Sequence, residues 1–184
     1  MKVSYNSKVV LGFSFIAFTI WLVNCFVPNI IGNLFAVGST MNFKDPADYF
    51  RLVSHVLGHA NWQHLFGNLT FILLLGPMLE EKYGHADLFL MILITALVTG
   101  IINIVFFSTG LLGASGIVFM FIILVSFVGK KDNSLPVEFL LVAGIFLGNE
   151  IVKAFQTDGI SQMAHTLGGI AGAVFGYGLS KIRN

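Results

Sequence analysis

The chain has 184 residues, of which 56% are hydrophobic and only 10% are charged. Because an ordinary soluble domain is about 25% charged, this composition argues against a soluble enzyme, a disordered segment and a basic nucleic-acid binder. The net charge of +1 indicates no acidic partner, and the single cysteine, Cys25, excludes an internal disulfide framework or a cysteine-based metal cluster. The composition is typical of a chain embedded in a lipid bilayer.

Charged residues divide the chain into uncharged stretches of 35, 28, 42 and 22 residues. A bilayer core needs about 20 apolar residues per helix, and Ser108-Thr109-Gly110 interrupts the longest stretch, which therefore fits two helices. We predict an all-α polytopic membrane protein with a single membrane domain over residues 1–184. Its six transmembrane helices are expected at about 9–27, 63–79, 88–107, 114–128, 137–155 and 164–180.

The lysines and arginines predict the orientation of the helices. With a cytoplasmic N-terminus, seven of the ten lie in inside segments, and Lys44, Arg51 and Lys153 lie outside. Cytoplasmic connections carry an excess of such residues, so we expect both termini in the cytoplasm. The one long connection, residues 28–61, would then lie outside and is amphipathic, which is typical of a functional or interfacial loop.

Polar side chains within the predicted spans gather near one face of the membrane. His64 and Asn68 lie in the first two turns of the second helix, Ser115 lies in the first turn of the fourth, and His165 lies at the start of the sixth. These three helices run in the same direction, so all four groups are expected near the outer leaflet. Polar groups inside a bilayer are costly, which favours a functional explanation for them.

Ser115 stands between glycines, in Gly113-Ala114-Ser115-Gly116. Glycine permits a tight entry into a helix, and the unpaired N–H groups of a helix N-terminus can stabilise a developing oxyanion. Ser115 is therefore a candidate nucleophile. The alternative is a serine that merely begins a helix.

His165 begins a glycine-lined helix face. Gly168, Gly172 and Gly176 follow it at offsets of 3, 7 and 11, which place all four on one side of the helix and allow another helix to pack closely. If that partner is the fourth helix, His165 meets Ser115 and can act as its base. The alternative is a packing face with an interfacial histidine of no function.

Two further side-chain groups leave alternatives open. His64 and Asn68 could donate hydrogen bonds to an oxyanion or could only hold helices together. Glu150 could orient His165 as a third catalytic member, although an ion pair with Lys153 is the interpretation we prefer. His55, His59 and His64 lack the carboxylate and the H-E-x-x-H spacing of a zinc site, so we expect no metal.

In chain order these residues resemble the rhomboid family of intramembrane serine proteases. The resemblance covers nearly the whole chain, and although each motif alone is common, their order on a six-helix chain is specific. The motifs are Phe50-Arg51 and His59 in the long loop, His64-x-x-x-Asn68, Gly76-x-x-x-Glu80 with Gly84, Gly113-x-Ser115-Gly116, and Ala164-His165-x-x-Gly168-x-x-x-Gly172.

The resemblance implies a compact helical bundle with a water-accessible cavity, of the minimal bacterial type and hence in the inner membrane. It implies a catalytic dyad of Ser115 and His165. The oxyanion hole would comprise His64, Asn68 and the backbone N–H of Ser115.

The resemblance also implies structural roles for Arg51, which would hold the loop, and for Glu80, which would hold the cytoplasmic end of the second helix. The supporting positions would be Gly113, Gly116, Phe119, Gly168, Gly172 and His59. Two departures are visible. Phe50 stands where many relatives carry tryptophan, and Phe119 stands where a tyrosine can stack on the histidine.

We therefore predict a serine endopeptidase that cleaves transmembrane segments of other membrane proteins, without cofactor, metal or nucleic acid. Its partners would be membrane-protein substrates and the lipid bilayer. One alternative is a catalytically silent rhomboid-like protein that binds or escorts membrane clients, against which the intact Ser115 and His165 argue. A second is a small transporter or channel, against which the lack of an inverted repeat argues.

Overall fold

The computed structural model describes residues 6–128 and 159–182, together with positions 137, 138, 141, 144 and 145. Its described part is helical and contains one isolated β-bridge, which agrees with the all-α prediction. Most of the predicted fifth helix, including Glu150 and Lys153, lies outside the described residues. The helices are α1 (Lys8–Asn24), α2 (Ile30–Leu34), α3 (Pro46–Ser54), α4 (Trp62–Tyr83), α5 (His85–Phe106), α6 (Ser115–Val125) and α7 (Gly159–Ile182), with a 3₁₀ turn at His55–Leu57.

One helix in the described part of the chain, α5, is both long and apolar enough to cross a bilayer. The apolar helices α1 and α6 are shorter, with 17 and 11 residues. Polar residues lower the mean hydropathy of α4, among them Gln63, His64 and Asn68 near its start. Six transmembrane spans therefore remain a prediction.

Helix α7 begins earlier than its sequence pattern indicated. The predicted start was residue 164, whereas the helix runs from Gly159. The segment before Ala164 contains Ser161 and Gln162, which are polar and so did not belong to the apolar run, but which a helix accommodates. His165 consequently lies in the second turn of α7 and not at its start.

The long connection between α1 and α4 contains ordered structure that the sequence analysis treated only as an amphipathic loop. Helix α3 begins with Pro46, and the side chain of Asp45 caps it by accepting the Ala47 N–H at 2.9 Å. Arg51, on α3, donates from Nε to the carbonyl oxygen of Asn33 at 2.7 Å and contacts the carboxylate of Asp48. These bonds tie the two halves of the connection together.

Small residues let the helices approach closely. A Cβ atom at Gly76 of α4 would lie 2.6 Å from Cγ2 of Val10 on α1. A Cβ atom at Gly100 of α5 would lie 2.7 Å from the carbonyl oxygen of Leu52 on α3. Both distances are too short for a side chain, so glycine sets the spacing of α1 against α4 and of α3 against α5.

Glu80 closes the end of the bundle at which α1 begins. Its carboxylate is buried and accepts the backbone N–H groups of Val9 at 2.8 Å and Val10 at 3.0 Å. Ser7 precedes α1 but makes no capping side-chain bond, so Glu80 supplies the cap from another helix. His85 contacts the same carboxylate through Nδ1. We call Glu80 and its two backbone donors the Glu80 cap.

Candidate active site

A turn held by neighbouring loops leads into α6. Val37 and Leu111 exchange two backbone hydrogen bonds of 2.9 Å, which joins the α2–α3 loop to the loop before α6. Two residues further on, Gly113 donates its N–H to the carbonyl oxygen of His55 at 2.9 Å. Gly113 has a φ of +113°, and a Cβ atom there would lie 2.5 Å from the ring of His64. Only glycine satisfies both the backbone conformation and the space.

Ser115 is the first residue of α6, and Ala114 precedes it without a capping side-chain bond. The first N–H groups of a helix have no partner within the helix, and they concentrate the positive end of its dipole. Ser115 is half-buried, whereas Ala114 and Gly116 on either side are buried. The serine is therefore partly accessible and lies at the helix end whose first N–H groups have no partner within the helix.

The glycine face of α7 packs directly on the backbone of α6. A Cβ atom at Gly168 would lie 2.0 Å from the carbonyl oxygen of Gly116, and one at Gly172 would lie 2.6 Å from that of Met120. A Cβ atom at Gly116 would in turn lie 3.2 Å from the carbonyl oxygen of Ala164. At Gly168 and Gly116 the backbones of the two helices meet directly, whereas a Cβ atom at Gly172 would also lie 3.0 Å from Cβ of Ile123.

This contact brings the surroundings of Ser115 and His165 together. Gly116 follows Ser115, and Ala164, against which Gly116 packs, precedes His165. His165 is 8% exposed, and its imidazole packs against the ring of Phe119, one turn after Ser115, with ring centroids 4.2 Å apart and ring planes tilted by 40°. The candidate nucleophile and the candidate base thus lie on either side of one helix contact.

A group of neutral polar side chains lines the other side of the Gly113 turn, and we call His55, His59, His64 and Asn68 the histidine cluster. His59 lies within hydrogen-bond distance of the Leu57 carbonyl through Nδ1 (3.1 Å) and of Asn68 Nδ2 through Nε2 (3.0 Å). This pairing assigns the hydrogen to Nδ1, so that Nε2 accepts from the amide. The rings of His59 and His64 meet edge to face at 5.0 Å.

Burial keeps two members of the cluster neutral. Desolvation lowers the pKa of His59 to about 4, with a contribution from neighbouring His64 that outweighs the opposing hydrogen bond to Leu57. Desolvation likewise lowers the pKa of His55 to about 4, against a hydrogen bond to Ala96. Both imidazoles therefore act as uncharged hydrogen-bonding groups at neutral pH.

Sequence reasoning missed His55 as a supporting residue. Its ring is 2% exposed and lies 3.0 Å through Nε2 from the Ala96 carbonyl of α5, while its own carbonyl holds Gly113. His55 thereby connects α5 to the turn before Ser115. The signal available in sequence was only its spacing of four from His59, which suggested metal binding. In the structure, the two rings bond to different carbonyls.

Arg51 and Glu80 lie apart from this site. Arg51 bonds within the α2–α3 segment, and Glu80 lies about three turns of α4 beyond Asn68. Arg51 contacts the carbonyl oxygen of Asn33 and the carboxylate of Asp48. Glu80 contacts the start of α1 and His85. Within the described residues, no group of three or more histidine, cysteine or acidic side chains is arranged to hold a metal ion.

Comparison with known proteins places these residues in a family context. Residues 46–182 match the family model of the rhomboid domain. The chain is 29% identical over 146 residues to the rhomboid protease GlpG of Haemophilus influenzae, an alignment covering 76% of this chain and 74% of that protein. It is 26% identical over 149 residues to the chloroplastic rhomboid-like protein 11 of Arabidopsis thaliana, covering 72% of this chain and 53% of the relative.

Proposed function

The chain belongs to the rhomboid family, and from that premise and the site geometry we propose that it is an intramembrane serine endopeptidase. Its substrates would be other membrane proteins, cut in or beside a transmembrane segment. The observation that carries the proposal is the glycine-lined contact of α6 with α7. It places Ser115, at a helix N-terminus, next to the turn of α7 that carries His165.

In the proposed reaction, Ser115 Oγ attacks the carbonyl carbon of the scissile bond while His165 accepts the hydroxyl proton. His165 then gives that proton to the leaving amine, which leaves an acyl-enzyme on Ser115. Water, activated in turn by His165, hydrolyses the ester and restores the serine. Phe119 packs against the imidazole and would help to hold the orientation of its ring.

The first turn of α6, together with His64 and Asn68 of the histidine cluster, would stabilise the oxyanion. The backbone N–H of Ser115 is a natural donor, because the first N–H groups of a helix lack internal partners. Asn68 has two amide hydrogens and gives one to His59, so the other can be directed towards the substrate. The His64 ring lies against Gly113, two residues before the nucleophile.

A cleavage assay tests the proposal. A fluorogenic peptide containing a transmembrane segment would be incubated with detergent-solubilised wild type, Ser115→Ala, His165→Ala and Ser126→Ala. Ser126 is the matched control, because it caps the other end of the same helix. We expect cleavage by wild type and Ser126→Ala only. Cleavage by Ser115→Ala at the wild-type rate would exclude the mechanism. A wild type that binds the peptide uncut would favour a silent, client-binding relative.

The membership of the rhomboid family supports an integral membrane protein. We propose that it lies in a bacterial inner membrane with both termini in the cytoplasm, on the basis of the lysine and arginine distribution. Ser115, His64 and the α3 segment would then lie near the outer face. Cysteine labelling by a membrane-impermeant reagent, at Ser39→Cys in the exposed α2–α3 loop of a Cys25→Ala background, would report this orientation in intact cells.

A further inference from the structure

An apolar groove opens between α1 and α5, and Ser115 is not among the residues that line it. It encloses a volume of about 340 Å³. Helix α1 contributes one wall through Val9, Gly12 and Phe13, and α5 contributes the other through Phe89 and Ile92. The mechanism proposed above makes no use of this space.

The groove is bordered by apolar side chains of the 3₁₀ turn and α3 and by one charged residue of α1. Val53, Val56 and Leu57 are the apolar side chains. Among its described lining residues, Lys8 alone carries a charge, and it is the first residue of α1. Ser54 also borders the groove, but its hydroxyl already donates to the carbonyl oxygen of Leu34.

The dimensions of the groove match a single lipid chain. Its α1 wall runs from Lys8 to Ile16, which is about 12 Å along a helix axis. One leaflet contributes about 15 Å of hydrocarbon thickness. Because apolar walls facing an empty space lose their dispersion contacts, hydrocarbon from the surrounding bilayer fills such a groove favourably.

We propose that this groove binds one acyl chain of an anionic phospholipid, with the lipid phosphate beside Lys8. The apolar walls and the lipid tails of the bilayer are similarly apolar, so the walls do not select one lipid over another. Selectivity between lipid headgroups must therefore come from Lys8. A basic side chain near the membrane surface favours an anionic headgroup about fivefold over a zwitterionic one. The proposal requires the membrane placement argued above and is independent of peptidase activity.

An occupied groove would also support the catalytic turn. Val56 and Leu57 line the groove, and the residue before them, His55, holds Gly113 through its carbonyl oxygen. The end of the acyl chain would therefore contact the segment that positions the turn before α6. Bound lipid is expected to raise the thermal unfolding temperature of the protein whether or not Ser115 is intact.

Two substitutions, each with a matched control, distinguish the binding site of the acyl chain from that of the lipid headgroup. A Cβ atom at Gly12 would meet no atom within 4 Å, so Gly12→Leu extends a side chain into the groove without a clash at the backbone. Gly67 on α4 has equally open surroundings and does not line the groove, so Gly67→Leu is the matched control. Lys8→Gln removes the charge, and Lys44→Gln, in an exposed loop, controls for loss of net charge.

The test is lipid titration of the full-length, detergent-solubilised protein, followed by native mass spectrometry. Phosphatidylglycerol and phosphatidylcholine with identical acyl chains are compared. We expect wild type, Gly67→Leu and Lys44→Gln to bind one phosphatidylglycerol about fivefold more tightly than phosphatidylcholine. Lys8→Gln should bind both lipids equally, and Gly12→Leu should bind both at least fivefold more weakly than Gly67→Leu.

Equal binding by Gly12→Leu and Gly67→Leu would overturn the proposal, because the lipid would then lie elsewhere. So would a change in oligomeric state of Gly12→Leu with unchanged lipid binding, which would assign the groove to a second copy of the chain. Inactive Ser115→Ala protein serves equally well in the titration, so failure of the peptidase proposal cannot imitate either result.

Discussion

The Glu80 cap and the histidine cluster are two buried polar groups of opposite character. In the Glu80 cap, one carboxylate is fully engaged by backbone donors of another helix and by His85. In the histidine cluster, uncharged imidazole and amide groups bond to one another and to the carbonyls of Ala96 and Leu57. The ring of His64 lies against Gly113, in the turn before Ser115. A charge that caps a helix serves stability, whereas neutral donors next to the proposed nucleophile are suited to chemistry.

The largest expected effect comes from opening the α6–α7 contact beside the histidine cluster. Gly168→Val would force α7 away from the carbonyl oxygen of Gly116, and a displacement of about 1 Å can cost about 100-fold in rate. We expect at least that loss in peptide cleavage, together with a lower unfolding temperature. Gly178→Val, on the same helix where a Cβ meets nothing within 4 Å, should retain activity. Equal losses in the two variants would show that the glycine face does not set the geometry.

Removing the carboxylate of the Glu80 cap should lower the stability of the protein and leave its activity unchanged. Glu80→Ala leaves the N–H groups of Val9 and Val10 without their charged acceptor, and a hydrogen bond to a charged group contributes about 1.5–3 kcal/mol. We expect a loss of about 3 kcal/mol in the free energy of unfolding, measured in mild detergent. The exposed neighbour Glu81→Ala should change it little. Cleavage per folded molecule, measured well below the unfolding temperature, should be unchanged in both.

Acid should weaken the fold through the histidine cluster. The pKa of His55 and His59 is about 4 in the folded protein and about 6.5 when unfolded, so the unfolded chain binds more protons between these values. The contribution of these two histidines to stability is therefore fully present above pH 6.5 and is lost as the pH falls towards 4. At pH 5 the expected loss is about 2 kcal/mol for each histidine. His55→Gln should remove about half of this pH dependence, and an unchanged slope would contradict the assignment.

The smallest effect is expected from a neutral helix cap. Asn61 accepts the His64 N–H at 2.9 Å at the start of α4. Asn61→Ala should lower the free energy of unfolding by about 1 kcal/mol, a third of the effect at Glu80. Thermal unfolding of the two variants side by side measures this ratio. Equal losses would mean that the charge at Glu80 contributes nothing beyond the geometry of a cap.

The helices that carry the site were predictable because charge and hydropathy act locally. Uncharged stretches predicted the ends of α1, α4, α5 and α6 to within four residues. The spacing of three to four residues between glycines identified one face of α7. The family was identified from short motifs and is confirmed by the match over residues 46–182. The six-span topology and the catalytic roles of Ser115 and His165 stay predictions.

What escaped the sequence depended on contacts between distant segments. Glu80 and the start of α1 are 70 positions apart, so nothing local revealed that a glutamate caps that helix. His55 acts through its backbone carbonyl on Gly113, and a carbonyl leaves no signature in the residue type. Helices α2 and α3 are too short to show a clear apolar period within an amphipathic loop.

Covalent labelling by a fluorophosphonate reagent tests the central claim most directly, because it requires an activated serine and no knowledge of the substrate. Wild type and Ser126→Ala should be modified once, on the peptide that contains Ser115, while His165→Ala should react far more slowly. Ser115→Ala should remain unlabelled although it unfolds at the wild-type temperature. Equal labelling of wild type and Ser115→Ala, or of wild type and His165→Ala, would contradict the proposed Ser115–His165 dyad.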